Sequence, residues 1–253
     1  MRYPRSRLTA EPAHLPPKTH GSIGKRCDTA MKHTTSPIRA TIIPAPVRRP
    51  LAVVALAGLS ALGLASGAQA AASTAVTYDV QANALGQTGD FTVDATVSGS
   101  APSSVAADSS LAVSLSVGSI TVPTSADGFT VKQIQGIALE IPVPADSTYD
   151  SASLAGGSGY GSGTPSVSES GGVVTIDVPG PISAGTTFTL PTLTLNLTSG
   201  ASGGTIATTL SGTSYSDPGL TFTAVISVIG ISIDASSAGY PSTAPTLTST
   251  TIS

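Results

Sequence analysis

The sequence predicts an all-β protein: a two-sheet antiparallel sandwich of immunoglobulin-like type with about nine strands. Three observations carry that expectation. Apolar residues recur at every second position in several separate runs, the signature of half-buried strands. Hairpin and turn dipeptides punctuate those runs. No stretch after residue 70 sustains a 3.6-residue period, so no long helix is expected there.

The runs come in order. Phe91, Val93, Ala95 and Val97 alternate with Thr92, Asp94, Thr96 and Ser98. Leu111, Val113, Leu115 and Val117 repeat the pattern, as do Ile137, Leu139, Ile141 and Val143. Val174, Ile176 and Val178 form a shorter version, and the series Leu220, Phe222, Ala224, Ile226 and Val228 a longer one. Asp127-Gly128 and Gly171-Gly172 are hairpin dipeptides, and the second predicts direct pairing of Ser166–Ser170 with Val173–Val178. Asp217-Pro218-Gly219 is a turn.

Two breaks of parity predict where the chain changes sheet or direction. Phe188 and Leu190 are even, whereas Leu193, Leu195 and Leu197 are odd, with Pro191 between them. Proline donates no ladder hydrogen bond, so a bulge, bend or sheet switch is expected at that point. The second break falls at Ile229-Gly230, where Val228 gives way to Ile231 and Ile233. The Gly- and Ser-rich segment 155–164 reads as a surface loop. The Ser/Thr/Pro-rich tail 236–253 is expected either to add an edge strand around 246–252 or to fray.

Charge divides the 253-residue chain in two. Ten of its 11 basic residues precede residue 50, as do all three His and the one Cys, Cys27. Arg48 and Arg49 precede an apolar run, Leu51–Leu64, and Ala68-Gln69-Ala70 matches a signal-peptidase pattern. The run is short for a membrane span, which needs about 20 residues. Residues 1–70 therefore read as an N-terminal extension and signal peptide, with Met31 the expected start and cleavage after Ala70. General and twin-arginine export both fit. No lipid-accepting Cys or apolar sorting tail is seen, so free secretion or non-covalent association outside the cell is expected.

The remainder, 71–253, is expected to be one domain. It carries twelve acids against one lysine, Lys132, a formal charge of −11, and has no Cys, His, Arg or Trp. Nucleic acid is excluded as a partner, because phosphates require clustered cations. Anionic lipid is disfavoured for the same reason. No disulfide framework, Ser-His or Cys-His pair, or imidazole or thiolate metal site can be built. No cofactor is expected.

Three chemical routes survive these exclusions. Two carboxylates from Asp90, Asp94, Glu140, Asp146, Asp150, Glu169 and Asp177 could act on a glycoside, although strand-face and turn acids ordinarily serve solubility. Lys132 could activate a serine, although a lone lysine on a strand is ordinarily solvated. Asp146 and Asp150 are the densest acidic pair for Ca²⁺, but no calcium loop surrounds them. For binding, Tyr149, Tyr160 and Tyr215 fall near turns and could stack on a sugar or a partner, with packing or capping the plainer role. The leading expectation is a secreted, non-enzymatic structural or binding module facing an extracellular or cell-envelope partner. The alternatives are a paired-carboxylate hydrolase and a carbohydrate- or ligand-binding domain with Tyr160 or Tyr215 at the edge of a concave patch.

Segments 141–149, 151–154, 188–193 and 217–222 together resemble a family of uncharacterised secreted actinobacterial proteins with an immunoglobulin-like β-sandwich. The resemblance spans nearly all of 75–253 and implies no activity. Members of that family carry a Cys after a Thr-Tyr-x near the mature start and another before a Tyr-Pro near the end. The matching positions here are Val80 and Gly239. The resemblance therefore implies that the first strand lies beside the final segment at those two residues, with Cα atoms within about 7 Å.

Overall fold

The structure, a computed structural model, describes residues 71–253; the signal peptide and start site read from the sequence lie outside the described residues. The described chain is all-β, and none of its residues is helical. The strands are β1 (Ala72–Ala84), β2 (Gln87–Ser100), β3 (Ser104–Val105), β4 (Ser110–Val117), β5 (Ile120–Thr121), β6 (Ser125–Ala126), β7 (Phe129–Pro142), β8 (Ser147–Ala155) and β9 (Ser166–Ser170). They continue with β10 (Val173–Val178), β11 (Ile182–Ser183), β12 (Thr187–Phe188), β13 (Thr192–Ser199), β14 (Thr205–Thr208), β15 (Leu220–Val228), β16 (Ile231–Pro241) and β17 (Thr248–Ile252).

Twelve of these strands form one antiparallel sheet in the order β8-β13-β4-β2-β1-β16-β15-β7-β10-β9, with β6 and β11 also paired to β7. Strands β8 and β9, at the two ends of that order, come back beside each other. The sheet thus nearly closes on itself, which removes most of the exposed edge that a flat sheet of this size would present. Two small sheets accompany it: β12-β5, and β14-β17-β3, in which β17 and β3 run parallel.

Each alternating run lands on a strand with its apolar set inside. Val113, Leu193, Leu195 and Leu197 are fully buried, as are Val76 and Val80 on β1. The predicted hairpin is present, with β9 and β10 joined through Gly171 and Gly172, both at positive φ. Ile229 and Gly230 form the turn between β15 and β16. At Pro191 the chain changes sheet: Phe188 pairs with Ile120 in the β12-β5 sheet, and Leu193 pairs with Leu115 in the large one.

Two expectations need correction. Seventeen strands replace the expected nine, in part because six of them have four residues or fewer, too short to leave a period in the sequence. The tail neither frays nor forms an edge. Strand β17 is the central strand of its sheet, flanked by β14 and β3, with Thr250 and Ile252 buried. Its inward threonines are satisfied: Thr250 Oγ1 donates to the Pro102 carbonyl at 2.6 Å, and Thr248 Oγ1 donates to Thr208 Oγ1 at 2.9 Å. A polar residue facing inward is tolerated when it is bonded this way.

Val80 and Gly239 stand directly opposite each other in the β1–β16 ladder. A Cβ at Gly239 would lie 2.9 Å from Val80 Cγ2, so the absence of a side chain at Gly239 lets the valine fill that space.

Candidate functional site

The interior of the large sheet is not uniformly filled. A cavity of about 380 Å³ lies between β2 on one side and β7 and β15 on the other. Strand β2 contributes Phe91, Val93, Ala95 and Val97; β7 contributes Val131, Ile134, Ile137 and Leu139; β15 contributes Leu220, Phe222 and Ala224. Phe188, Leu190 and Leu210 extend the lining, and the segment Ser119–Pro123 with Ala126 closes over it.

The strand pairing explains why the cavity is open on one side. Strand β2 pairs with β1 along its whole length, but with β4 only from Val97↔Val117 to Ser100↔Ser114. The Gly118 amide donates to the Thr96 carbonyl at 2.7 Å, and beyond that point the two chains separate. Residues 119–126 swing away to pair at Ile120–Thr121 with β12 and at Ser125–Ala126 with β7. The gap between this segment and the free edge of β2 is the mouth. Its polar lining, Thr92, Asp94, Ser119 and Thr121, is exposed. Asp94 accepts a hydrogen bond from Thr77 Oγ1 at 2.6 Å.

Inside, the lining is apolar with one exception. Tyr78, on β1, is 4% exposed, and its hydroxyl has no hydrogen-bond partner. A buried hydroxyl without a partner forfeits its hydration and gains nothing in return, a cost of roughly 1–3 kcal/mol. Burial also pushes the phenol's pKa far above its ordinary value, because the phenolate would be desolvated. At every physiological pH Tyr78 therefore offers a neutral O–H that can donate or accept.

A second, shallower concavity lies on the outer face. Gln81, Asn83, Gly136, Thr221, Thr223, Ser236 and Ala238 form its floor, and Tyr215 stands at its edge. Tyr215 meets Tyr240 edge to face, with ring centroids 5.2 Å apart. Its phenol is held above the ordinary value by desolvation, then by the nearby Asp90, Tyr240 and Asp79. The loop that carries it, 211–219, is pinned at Gly219, where any Cβ would collide with the Ser211 carbonyl.

The candidates read from the sequence fall in separate places. Tyr215 borders the outer groove, while Tyr149 and Tyr160 are partly buried against the core and line neither concavity. The Asp146 carboxylate accepts from the Thr205 amide at 3.3 Å, and Asp150 accepts from Thr198 Oγ1 at 2.8 Å. Among the described residues no three His, Cys, Asp or Glu side chains gather in a way that could hold a metal. Asp90 accepts from Gln81 at 2.9 Å, and Glu169 accepts from the Gly172 amide at 2.8 Å. Glu140 and Asp177 occupy diagonal positions on one face of β7 and β10. Asp94 is the one carboxylate in the lining of the inner cavity, and the outer concavity is lined by none. Lys132 Nζ donates to Ser232 Oγ at 3.0 Å.

Sequence reasoning missed Tyr78. The alternation Val76, Tyr78, Val80 marks it as inward-facing, but a tyrosine in a core series gives no sign that its hydroxyl will be unmatched. Comparison of the chain with protein-family models, with curated proteins and with solved structures returns no match.

Proposed function

We propose that this protein is a secreted, non-enzymatic binding domain that holds a small apolar molecule, with one polar group, inside its nearly closed sheet. An apolar, open-mouthed cavity with Tyr78 in its lining and polar groups gathered at its mouth carries this reading. Ligand sites are typically concave spaces of about 300–1,000 Å³, mostly apolar, with a few polar groups that fix orientation. A medium-chain alcohol, aldehyde or ketone fits that description: its chain covers the apolar wall, and its oxygen meets the polar mouth formed by Thr92, Asp94, Ser119 and Thr121.

The two-layer, immunoglobulin-like arrangement belongs to this proposal. Strands β8, β13 and β4 would form one layer and β16, β15, β7 and β10 the other, with β1 and β2 turning the corner. The complementary apolar faces of the two groups support it. Export is supported by the arginine-led apolar run and the Ala68-Gln69-Ala70 pattern. The Val80–Gly239 pairing is the juxtaposition that the resemblance implies.

Calorimetric titration with decan-1-ol tests the proposal. One-to-one binding with a negative heat-capacity change is expected, because apolar surface is buried. Ala224→Phe, which fills the cavity, should weaken binding at least tenfold. Absence of saturable binding, or equal binding by the filled variant, would refute the reading.

A further inference from the structure

The exposed large apolar residues of the described chain are Leu85, Phe129, Ile229 and Ile231. All four sit at hairpin turns at one end of the large sheet. Leu85 is in the turn between β1 and β2, Phe129 follows the Asp127-Gly128 turn between β6 and β7, and Ile229 and Ile231 flank Gly230 between β15 and β16. Ile229 is 98% exposed and Ile231 is 67% exposed. The ladders place these turns together. Thr130 pairs with Ser227, which sets Phe129 alongside Val228. The β1–β16 ladder ends at Asn83↔Ser236, so the Ile229-Gly230 turn projects beyond the Leu85-Gly86 turn.

Two of these residues are placed against their own conformational preference. Ile229 and Leu85 lie at φ 49° and 52°, a region in which a β-branched residue is a genuine outlier and Asn or Gly is ordinary. Each turn therefore exposes a large apolar side chain to water and strains its backbone as well. Neither choice stabilises the free protein.

Charge and continuity indicate what covers them. Residues 80–89 and 227–233 contain no charged side chain, although the domain carries −11 overall; the third turn holds Asp127, whose carboxylate lies beside Gly89, and Lys132 reaches Ser232 behind the tips. An anionic surface would repel that net charge, whereas an uncharged one would not. Phe129 and Ile231 share the inward-facing parity of Val131 and Ile233 on their own strands, and Val131 and Ala126 line the cavity. The apolar wall of the cavity is thus continued outward to the tips. Three separate protruding turns suit insertion into a soft medium better than contact with a flat rigid partner.

From this geometry we infer that the Leu85, Phe129 and Ile229–Ile231 turns insert into the surface of an uncharged or zwitterionic lipid layer. There the cavity exchanges its apolar ligand. The docking step rests on the proposed cavity function only for its purpose; its geometry is independent of it.

Flotation of the purified protein with phosphatidylcholine vesicles provides the test, alongside vesicles containing phosphatidylserine. The comparison is with the triple variant Leu85→Asn, Ile229→Asn, Ile231→Thr, and with Ile229→Asn alone. Asn-Gly is the preferred sequence for such a turn, so the variants should fold at least as well as the parent, which thermal unfolding verifies. The parent should co-float with phosphatidylcholine and less with phosphatidylserine, and the triple variant should lose at least tenfold in partitioning. Equal flotation of parent and triple variant would overturn the inference. So would a preference for phosphatidylserine, or a concentration-dependent dimer that the triple variant abolishes while neither protein floats. Decan-1-ol titration without vesicles separates the two proposals. A triple variant that binds decan-1-ol normally but does not float loses docking alone, and a parent that floats without binding decan-1-ol refutes the cavity reading alone.

Discussion

Strands β13 and β15 carry similar alternating sequences, and both are central, with a hydrogen-bonded neighbour on each side. Leu193, Leu195 and Leu197 on β13 are completely buried, whereas Leu220, Phe222 and Ala224 on β15 are only partly so and line a cavity. The difference lies in what covers each region. The end of β13 is tied to the β14-β17-β3 sheet, which brings Ile206 and Ile252 into the core. Ser199 Oγ donates to the Ala106 carbonyl at 2.7 Å, and the Ala107 amide donates to the Ser253 carbonyl at 3.1 Å. Over β15 the cover is the segment 118–126, whose strands have two residues each. Alternation decides which side chains face inward; whether the inside is filled depends on how much chain comes back to cover it.

Substitutions sharpen this contrast, from the largest effect to the smallest. Leu195→Ala removes a fully buried side chain from a filled region and should cost about 3 kcal/mol by denaturant unfolding. A cost below about 1 kcal/mol would mean that the β13 side is as loosely filled as the β15 side. Joining Val80→Cys with Gly239→Cys should give a disulfide that raises stability by about 2 kcal/mol over the reduced form, because the two positions face each other across β1 and β16. Failure to oxidise would show that the register at that seam differs from the one described.

Tyr78→Phe deletes the unmatched hydroxyl and should stabilise the free protein by about 1 kcal/mol at neutral pH. The same variant sets a pH dependence. The folded-state pKa of Tyr78 is raised above that of the unfolded chain, about 10, so below that pH both states keep the proton and its ionisation costs no stability. Above it the unfolded chain loses a proton that the folded one keeps, and stability falls as pH rises. That alkaline fall should be shallower in Tyr78→Phe when both proteins are unfolded between pH 9 and pH 11. Ala224→Phe, finally, adds a ring to a space that can take it and should change stability by less than about 0.5 kcal/mol, although overpacking a filled core ordinarily costs about 1–3 kcal/mol.

Much of the strand layout was legible. The Phe91–Val97, Leu111–Val117 and Leu220–Val228 alternations, the Gly171-Gly172 hairpin and the sheet change at Pro191 all follow from side-chain period and backbone chemistry. Strand β17 was less legible, because its inward residues include Thr248 and Thr250, and a threonine satisfied by a distant partner looks polar in sequence. Near closure of the sheet was not legible either, since it depends on β8 and β9 meeting in space. The cavity is the hardest case. The residues lining it are the same Val, Ile, Leu and Phe that would build a solid core, and only the parting of β2 from residues 119–126 leaves the space between them.

The central claim concerns that space, and xenon tests it directly, because xenon collects in apolar cavities. Methyl NMR spectra recorded under xenon pressure should show saturable shifts for Val93, Ile134 and Ala224, with Leu193, Leu195 and Leu197 unmoved. Uniformly small shifts across both sets, or shifts centred on the β13 leucines, would contradict the account.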